Sequence, residues 1–182
     1  MKFTVLHYPQ LDSTNNLAKE FAILGVGTGT VVLADYQSKG RGRFKRKWVS
    51  PRGKDLLFSI IIRPKHLKAG SASILTQITA RAVLDSLKEA FAIQATIKRP
   101  NDLLVDGKKI CGILVESSTH QNEIEYMVVG IGLNVNSKTK DLVRGATSIW
   151  ELTGHFSDKS NLLQTVLSHF SHKTKEIGWS YD

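Results

Sequence analysis

The stretch LLVDGKKICGILVE, residues 103–116, contains two apolar runs joined by the pair Asp106-Gly107. An Asp-Gly pair tolerates the positive φ angles that tight turns between antiparallel strands require. The stretch therefore predicts a β-hairpin with strands at Leu103–Val105 and Lys109–Glu116. Another long strand is predicted at Glu123–Val135, where internal glycines indicate a bulge or a ligand against the backbone.

Outward from this hairpin, further strands and helices are predicted from apolar periodicity. The strands are Phe3–Tyr8, Thr30–Tyr36, Leu56–Arg63 and Thr96–Lys98. The helices are Asn15–Leu24, Ser71–Phe91, Thr147–Leu152 and Ser160–Ile177. Hairpins interspersed with helices predict an α+β fold, a mixed and largely antiparallel central sheet with flanking helices. The absence of repeated βαβ units argues against a doubly wound nucleotide fold.

Composition bounds the class of protein. The chain has 182 residues, 41% of them hydrophobic, which suits one domain with its own core. Cys111 is the only cysteine. A single cysteine cannot form an intrachain disulfide, and the N-terminus lacks a signal-peptide pattern, so we expect a cytoplasmic protein with no membrane association. The net charge of +9 favours anionic partners.

Much of that charge lies in the basic loop, which we define as Ser38–Ser50. It contains six lysines and arginines together with Gly40, Gly42 and Trp48. Glycine permits close backbone approach, arginine binds phosphate or carboxylate as a fork, and tryptophan offers a flat stacking face. The loop therefore predicts closure over an anionic nucleotide or an acyl phosphate. A plain solvated loop and a nucleic-acid patch are the alternatives.

Three further polar clusters are candidates for the same site. They are Ser13-Thr14-Asn15, the segment 98–102 (Lys-Arg-Pro-Asn-Asp) and Lys109. Each has an ordinary structural explanation, namely a helix N-cap, a polar turn and a lysine that reaches water. We predict no protein-held metal, since His169 and His172 have no third ligand nearby, and Cys111 is expected to pack in the core.

Taken together, these motifs resemble the biotin protein ligases in order and spacing over about residues 6–150. The matching motifs are Ser13-Thr14-Asn15, Gln37, Gly40-Arg41-Gly42-Arg43, Arg46, Trp48, Ser50-Pro51-x-Gly53, Pro100-Asn101-Asp102, Lys109, Gly112–Glu116 and Gly130–Asn134. The resemblance implies the fold of class II aminoacyl-tRNA synthetases and lipoate ligases. It also implies a two-step reaction: biotin and ATP give biotinyl-5′-AMP and pyrophosphate, and biotin then passes to a lysine of a biotin carboxyl carrier protein.

The resemblance also implies roles for individual residues. The catalytic set is Arg43, Lys109 and Asp102. The biotin-binding set is Ser13, Thr14, Asn15, Gln37, Gly40, Arg41, Gly42, Arg43, Lys109 and Gly112. The ATP- and adenylate-binding set is Arg41, Arg43, Arg46, Trp48, Asn101, Lys109 and Asn134. Mg²⁺ is expected to accompany ATP, because it neutralises phosphate charge.

The chain departs from this family in three respects. Arg99 stands where the family commonly has tryptophan, which adds charge near the site. The sequence predicts a single catalytic domain over 1–182, with neither an N-terminal helix-turn-helix nor a C-terminal β-barrel, so we expect no DNA binding. A homodimer is possible in this family. The alternative functions are a lipoate or octanoate ligase or transferase of the same fold, a nucleic-acid-binding module and an inactive relative that binds biotin alone.

Overall fold

The fold is a seven-stranded sheet with helices on both faces. The computed structural model describes residues 1–181, without the side chains of Lys45 and Ala72. The strands are β1 Thr4–Tyr8, β2 Thr30–Ala34, β3 Leu56–Ile62, β4 Thr96–Lys98, β5 Asp102–Val105, β6 Lys108–His120 and β7 Glu123–Leu133. The helices are α1 Thr14–Ile23, α2 Ala72–Phe91, α3 Ile149–Thr153 and α4 Lys159–Glu176.

The strand order is β1-β2-β3-β7-β6-β5-β4, with β1 parallel to β2 and every other neighbouring pair antiparallel. The predicted α+β class is confirmed. The predicted hairpin joins β5 to β6, and its turn has φ of 49° at Asp106 and 76° at Gly107. Two consecutive positive φ angles are those of a type I′ turn, whose twist matches that of paired strands.

Two strands end two residues earlier than the sequence predicts. Strand β2 stops at Ala34, and the carbonyl of Tyr36 instead accepts a hydrogen bond from the Leu11 amide. Strand β7 stops at Leu133, because the Val135 amide donates to a carboxylate outside the sheet. The short helix α3 also begins two residues later than predicted, at Ile149, where the Ser148 hydroxyl caps it by accepting from the Glu151 amide.

The two faces of the sheet bury different helices. Helix α1 packs on one face against Val32, Ile61, Tyr126 and Val128. Helices α2 and α4 cover the other face, where the larger core surrounds Phe58 and Phe170. An ion pair between Lys173 and Asp85 at 2.6 Å, and a contact of 2.7 Å between His169 Nε2 and a Glu89 carboxylate oxygen, join α4 to α2. In the part of the chain that the structure describes, no helix is long and apolar enough to cross a bilayer.

A buried carboxylate anchors the end of the basic loop. Asp55 is 1% exposed and accepts hydrogen bonds from the Ser50 hydroxyl at 2.7 Å, the Val135 amide at 2.9 Å and the Ser137 hydroxyl at 2.8 Å. Burial raises the pKa of Asp55 above its usual value, because it removes water from the charged form, while the hydrogen bonds oppose that shift. Asp55 therefore ties the loop to the segment that follows β7.

Replacing Asp55 by asparagine should destabilise the fold by about 1–3 kcal/mol, because one acceptor oxygen becomes a donor facing other donors.

The folded state holds the Asp55 proton to higher pH than the unfolded chain, whose aspartate pKa is near 3.8. Stability contributed by Asp55 therefore falls as pH rises from that value through the raised pKa. Urea unfolding should show the gap between native chain and Asp55→Asn narrowing over this window. Asp106→Asn, in an exposed turn, is the control, and a widening gap would contradict the assignment.

Candidate active site

A cavity of about 290 Å³ opens on the α1 face of the sheet. The start of α1, the basic loop and the turn before β5 form its walls, and β6 and β7 form its floor. Of the residues predicted to bind or react, the following line it: Ser13, Thr14, Asn15, Gln37, Arg41, Gly42, Arg43, Arg46, Trp48, Asn101, Asp102, Lys109 and Gly112. The fold thus brings motifs spread over 100 positions of the chain to one place.

The floor of this cavity is flat because three glycines face it. Gly112 pairs with Gly132 across β6 and β7, and Gly130 lies two pairs further along, opposite Leu114. The Trp48 indole rests on this surface, since a Cβ at Gly132 would lie 2.5 Å from Trp48 Cε2, and one at Gly112 would lie 2.8 Å from Trp48 Cζ3. A Cβ at Gly130 would lie 2.0 Å from Asn15 Oδ1. The glycines predicted to accept a close approach therefore accept side chains of this protein.

Trp48 borders two cavities. Besides the main cavity, it lines a smaller one of about 90 Å³, together with Lys109 and Asn134 among others. Asn134 thus lies outside the main cavity, and its amide donates to the Thr147 carbonyl at 2.9 Å. The Trp48 Nε1 atom is buried and has no hydrogen-bond partner within residues 1–181. The indole ring is therefore packed against the sheet, but its N–H group makes no hydrogen bond to the described residues.

A hydrogen-bonded cluster forms the wall at the start of α1. The Thr14 amide and hydroxyl both donate to Gln37 Oε1, at 2.6 and 3.1 Å. The Ser59 hydroxyl lies 2.8 Å from Thr14 Oγ1 and 2.7 Å from Asn15 Oδ1. With its oxygen engaged by Thr14, Gln37 presents its amide nitrogen as the remaining donor. Ser13 occupies the N-cap position of α1 and is 1% exposed.

Glu116 neutralises one of the loop arginines. Arg41 forms an ion pair with Glu116 at 2.6 Å and donates to Asn16 Oδ1 at 2.6 Å. The other carboxylate oxygen of Glu116 accepts from Asn15 Nδ2 at 2.8 Å. Glu116 therefore fixes both the basic loop and the polar cluster. The sequence places Glu116 at the end of a strand motif, but its partners lie 75 and 101 positions away, so local patterns do not reveal this role.

Lys109 and Asp102 meet across the hairpin that the sequence predicts. Lys109 Nζ lies 2.7 Å from Asp102 Oδ1 and 5.3 Å from the centre of the Trp48 ring. Asn101 stabilises the adjacent turn, since its side chain donates to the Ile113 carbonyl at 2.8 Å and its carbonyl accepts from the Ile113 amide at 2.9 Å. Asp102 is the only carboxylate among the described lining residues of the main cavity. Its surroundings are therefore strongly cationic.

The basic loop folds back on itself above this cavity. The Trp48 amide donates to the Gly40 carbonyl at 2.9 Å, and the Gly42 amide donates to the Arg46 carbonyl at 2.8 Å. A Cβ at Gly40 would lie 2.4 Å from the Trp48 carbonyl oxygen, so this position requires glycine. Gly40 itself lines a neighbouring cavity rather than the main one. Gly40 therefore contributes by allowing the two ends of the basic loop to lie close to each other.

The residues of the main cavity can bind a small molecule with both polar and anionic parts. Hydrogen-bonding groups cluster at the α1 end, while Lys109, Arg43 and Arg46 bring positive charge to the loop end. Such convergence of a few polar groups on a concave surface is typical of ligand sites. Within residues 1–181, no group of three or more His, Cys, Asp or Glu side chains is placed to hold a metal ion.

The comparison with known families agrees with this site. The model of the biotin/lipoate A/B protein ligase family matches residues 7–134, and the chain belongs to that family. It is 35% identical over 176 residues to the bifunctional ligase/repressor BirA of Bacillus subtilis, covering 94% of this chain and 54% of that protein. It is 36% identical over 167 residues to the biotin–[acetyl-CoA-carboxylase] ligase of Paracoccus denitrificans, covering 88% and 68%. The chain spans about half the length of its Bacillus relative.

Among solved structures, the chain is similar to biotin protein ligase from Aquifex aeolicus in complex with biotin and ATP. The TM-score is 0.81 at 32% identity, and the match covers 95% of this chain and 71% of that one. The predicted resemblance and the predicted architecture are thereby confirmed. The roles of individual residues remain predictions.

Gly132→Ala should displace the Trp48 indole, because the new Cβ would lie 2.5 Å from a ring held against sheet backbone. We expect a red shift of Trp48 emission and greater quenching by acrylamide, with the signal assigned by subtracting a Trp48→Phe background. Gly27→Ala is the matched control, because a Cβ there meets no atom within 4 Å. Unchanged Trp48 emission in Gly132→Ala would contradict the placement of the indole against Gly132.

Proposed function

We propose that this chain is a biotin protein ligase that activates biotin with ATP and transfers it to a lysine of a biotin carboxyl carrier protein. The observation that carries this proposal is one cavity that joins the Thr14–Gln37 cluster to the Lys109–Asp102 pair beside Trp48. Its relatives support the choice of substrate, because the Paracoccus protein is named a biotin–[acetyl-CoA-carboxylase] ligase and the Aquifex structure contains biotin and ATP.

The first step joins two anions. A carboxylate oxygen of biotin attacks the α-phosphorus of ATP, the bond to the β,γ-phosphates breaks, and pyrophosphate leaves. Because the two reactants repel each other, fixed positive charge must lie where they meet. Lys109 and Arg43 supply it in this proposal, with Arg46 toward the β- and γ-phosphates. All three line the main cavity.

The polar cluster suits the ureido ring of biotin, which has a carbonyl acceptor and two N–H donors. Gln37 directs its amide nitrogen outward because Thr14 engages its oxygen, so it can donate to the ureido carbonyl. Ser13 and Asn15 complete the polar wall, and Asn15 is fixed by Ser59 and Glu116. Fixed polar groups discriminate strongly against analogues that lack the matching partner. This wall therefore favours biotin over lipoate, whose dithiolane ring lacks a ureido group.

Trp48 and Asn134 are proposed to hold the nucleotide. The small cavity beside Trp48 lies next to the main one, so an adenine placed there would lie against the indole. Arg41 is engaged by Glu116, and its contribution in this proposal is to position the loop rather than to contact phosphate. Mg²⁺ would enter with ATP and be held by phosphate oxygens and water, because Asp102 is the sole carboxylate among the described residues of this cavity.

In the second step, the neutral amine of the acceptor lysine attacks the carbonyl carbon of the mixed anhydride, and AMP leaves. The amine nitrogen becomes the amide nitrogen, and the proton that it loses passes to solvent water. Asp102 lies at the cavity wall, 2.7 Å from Lys109, where it orients that ammonium group and can orient the incoming amine. We propose residues 1–182 as the unit that carries both steps.

The decisive experiment is biotin-dependent pyrophosphate release from ATP, with lipoate and octanoate as parallel substrates. Release with biotin alone, followed by labelling of a biotin carboxyl carrier domain, is the expected result. Release with lipoate or octanoate instead would assign a different member of the family. Biotin binding without release would identify an inactive relative, and no binding of any of the three acids would overturn the proposal.

Lys109→Ala should slow adenylate formation by roughly 10²-fold or more, because it removes a charge that stabilises the transition state. Arg43→Ala should have an effect of similar size. The measurement is single-turnover biotinyl-AMP formation at saturating biotin and ATP. Lys108→Ala is the matched control, since Lys108 is the exposed neighbour of Lys109 and does not line the main cavity. Equal rates for Lys108→Ala and Lys109→Ala would remove Lys109 from this role.

A further inference from the structure

A second cavity of about 500 Å³ borders the main one at the edge of the sheet. The two cavities share Arg43, Arg99, Pro100, Asn101 and Ile113. Its far wall is the first half of α2, which contributes Ser73, Thr76, Gln77 and Arg81, and its floor is apolar, with Ile97, Ile113 and Val115. We call this the edge cavity.

The charge of the edge cavity is one-sided. Three arginines line it, Arg43, Arg81 and Arg99, and its described lining includes no carboxylate. Within residues 1–181, none of the three forms an ion pair. Some cations elsewhere are held by carboxylates, as Arg41 is by Glu116 and Lys173 by Asp85. Three like charges that converge without a counter-charge favour an anionic occupant.

We propose that the edge cavity docks an acidic segment of the acceptor protein, beside the lysine that receives biotin. The inference rests on the proposed function, because an acceptor must enter the main cavity and would cross the shared Arg43–Asn101 border. Arg81 and Arg99 are exposed, and the floor between them is apolar. Exposed arginines around an apolar centre are typical of protein interfaces. A free phosphate would gain nothing from contact with the three aliphatic side chains of the floor, whereas a protein segment can pack apolar groups on them.

Direct binding tests this docking without biotin or ATP. The probes are a fluorescent lysine peptide flanked by glutamates and a matched peptide flanked by glutamines, measured by anisotropy at low salt. The native chain should prefer the glutamate peptide, and Arg81→Glu should weaken it by about fivefold, the scale of an exposed ion pair. Lys88→Glu is the matched control, because it makes the same charge change two turns further along α2, outside the edge cavity.

Three outcomes would overturn the docking proposal. The first is equal binding of both peptides by the native chain, and the second is a loss of affinity in Lys88→Glu as large as that in Arg81→Glu. The third is a single-stranded oligonucleotide of equal charge that binds as tightly and loses as much affinity in Arg81→Glu, which would identify a general polyanion surface. Pyrophosphate release is measured in parallel and should be unchanged in Arg81→Glu. Failure of that release in the native chain would count against the proposed ligase activity alone.

Discussion

The site depends on the absence of side chains at Gly112, Gly130 and Gly132 on one face of β6 and β7. Any Cβ there would lie within 2.0 to 2.8 Å of Asn15 or Trp48. Because the glycines leave the sheet bare, a tryptophan from the basic loop and an asparagine from α1 can both lie on it. The loop thereby gains a fixed point on the sheet, and the polar cluster gains contact with Glu116. The rest of the cavity is built around these two approaches.

Charge is distributed unevenly around that floor. Arg41 and Lys109 each have a carboxylate at 2.6–2.7 Å, so their positions are fixed by ion pairs. Arg43, Arg81 and Arg99 have none among the described residues, and their charge remains available to a ligand. The ion pairs of Arg41 and Lys109 fix the geometry of the site. The three arginines of the edge cavity can instead attract an anionic ligand.

Local chemistry made much of this predictable. The Asp106-Gly107 turn depends on backbone preferences that a short window of sequence reveals, and it is confirmed. The glycines of β7 predict a bulge or a ligand against the backbone, whereas pairing there is regular and the side chains of Asn15 and Trp48 lie on them. Glu116, Ser59 and Asp55 were not recognised as site residues, because their partners lie tens of positions away in the chain. The edge cavity was missed for the same reason: Arg81 and Arg99 converge only once α2 packs on the sheet. Sequence patterns thus indicated the motifs but not the contacts that orient them.

The position of Trp48 on the glycine floor combines an unfavourable interaction with favourable ones. Its buried Nε1 lacks a partner among the described residues, and an unsatisfied buried donor costs about 1–3 kcal/mol. Lys109, 5.3 Å from the ring centre, returns about 0.5–2 kcal/mol through a cation–π contact. Because the cation–π contact offsets only part of that cost, burial of the ring on the glycine floor holds the indole in place. A ligand that offers Nε1 an acceptor removes the cost of the unpaired donor, whereas a ligand that displaces the indole must compensate for the burial that is lost on the glycine floor.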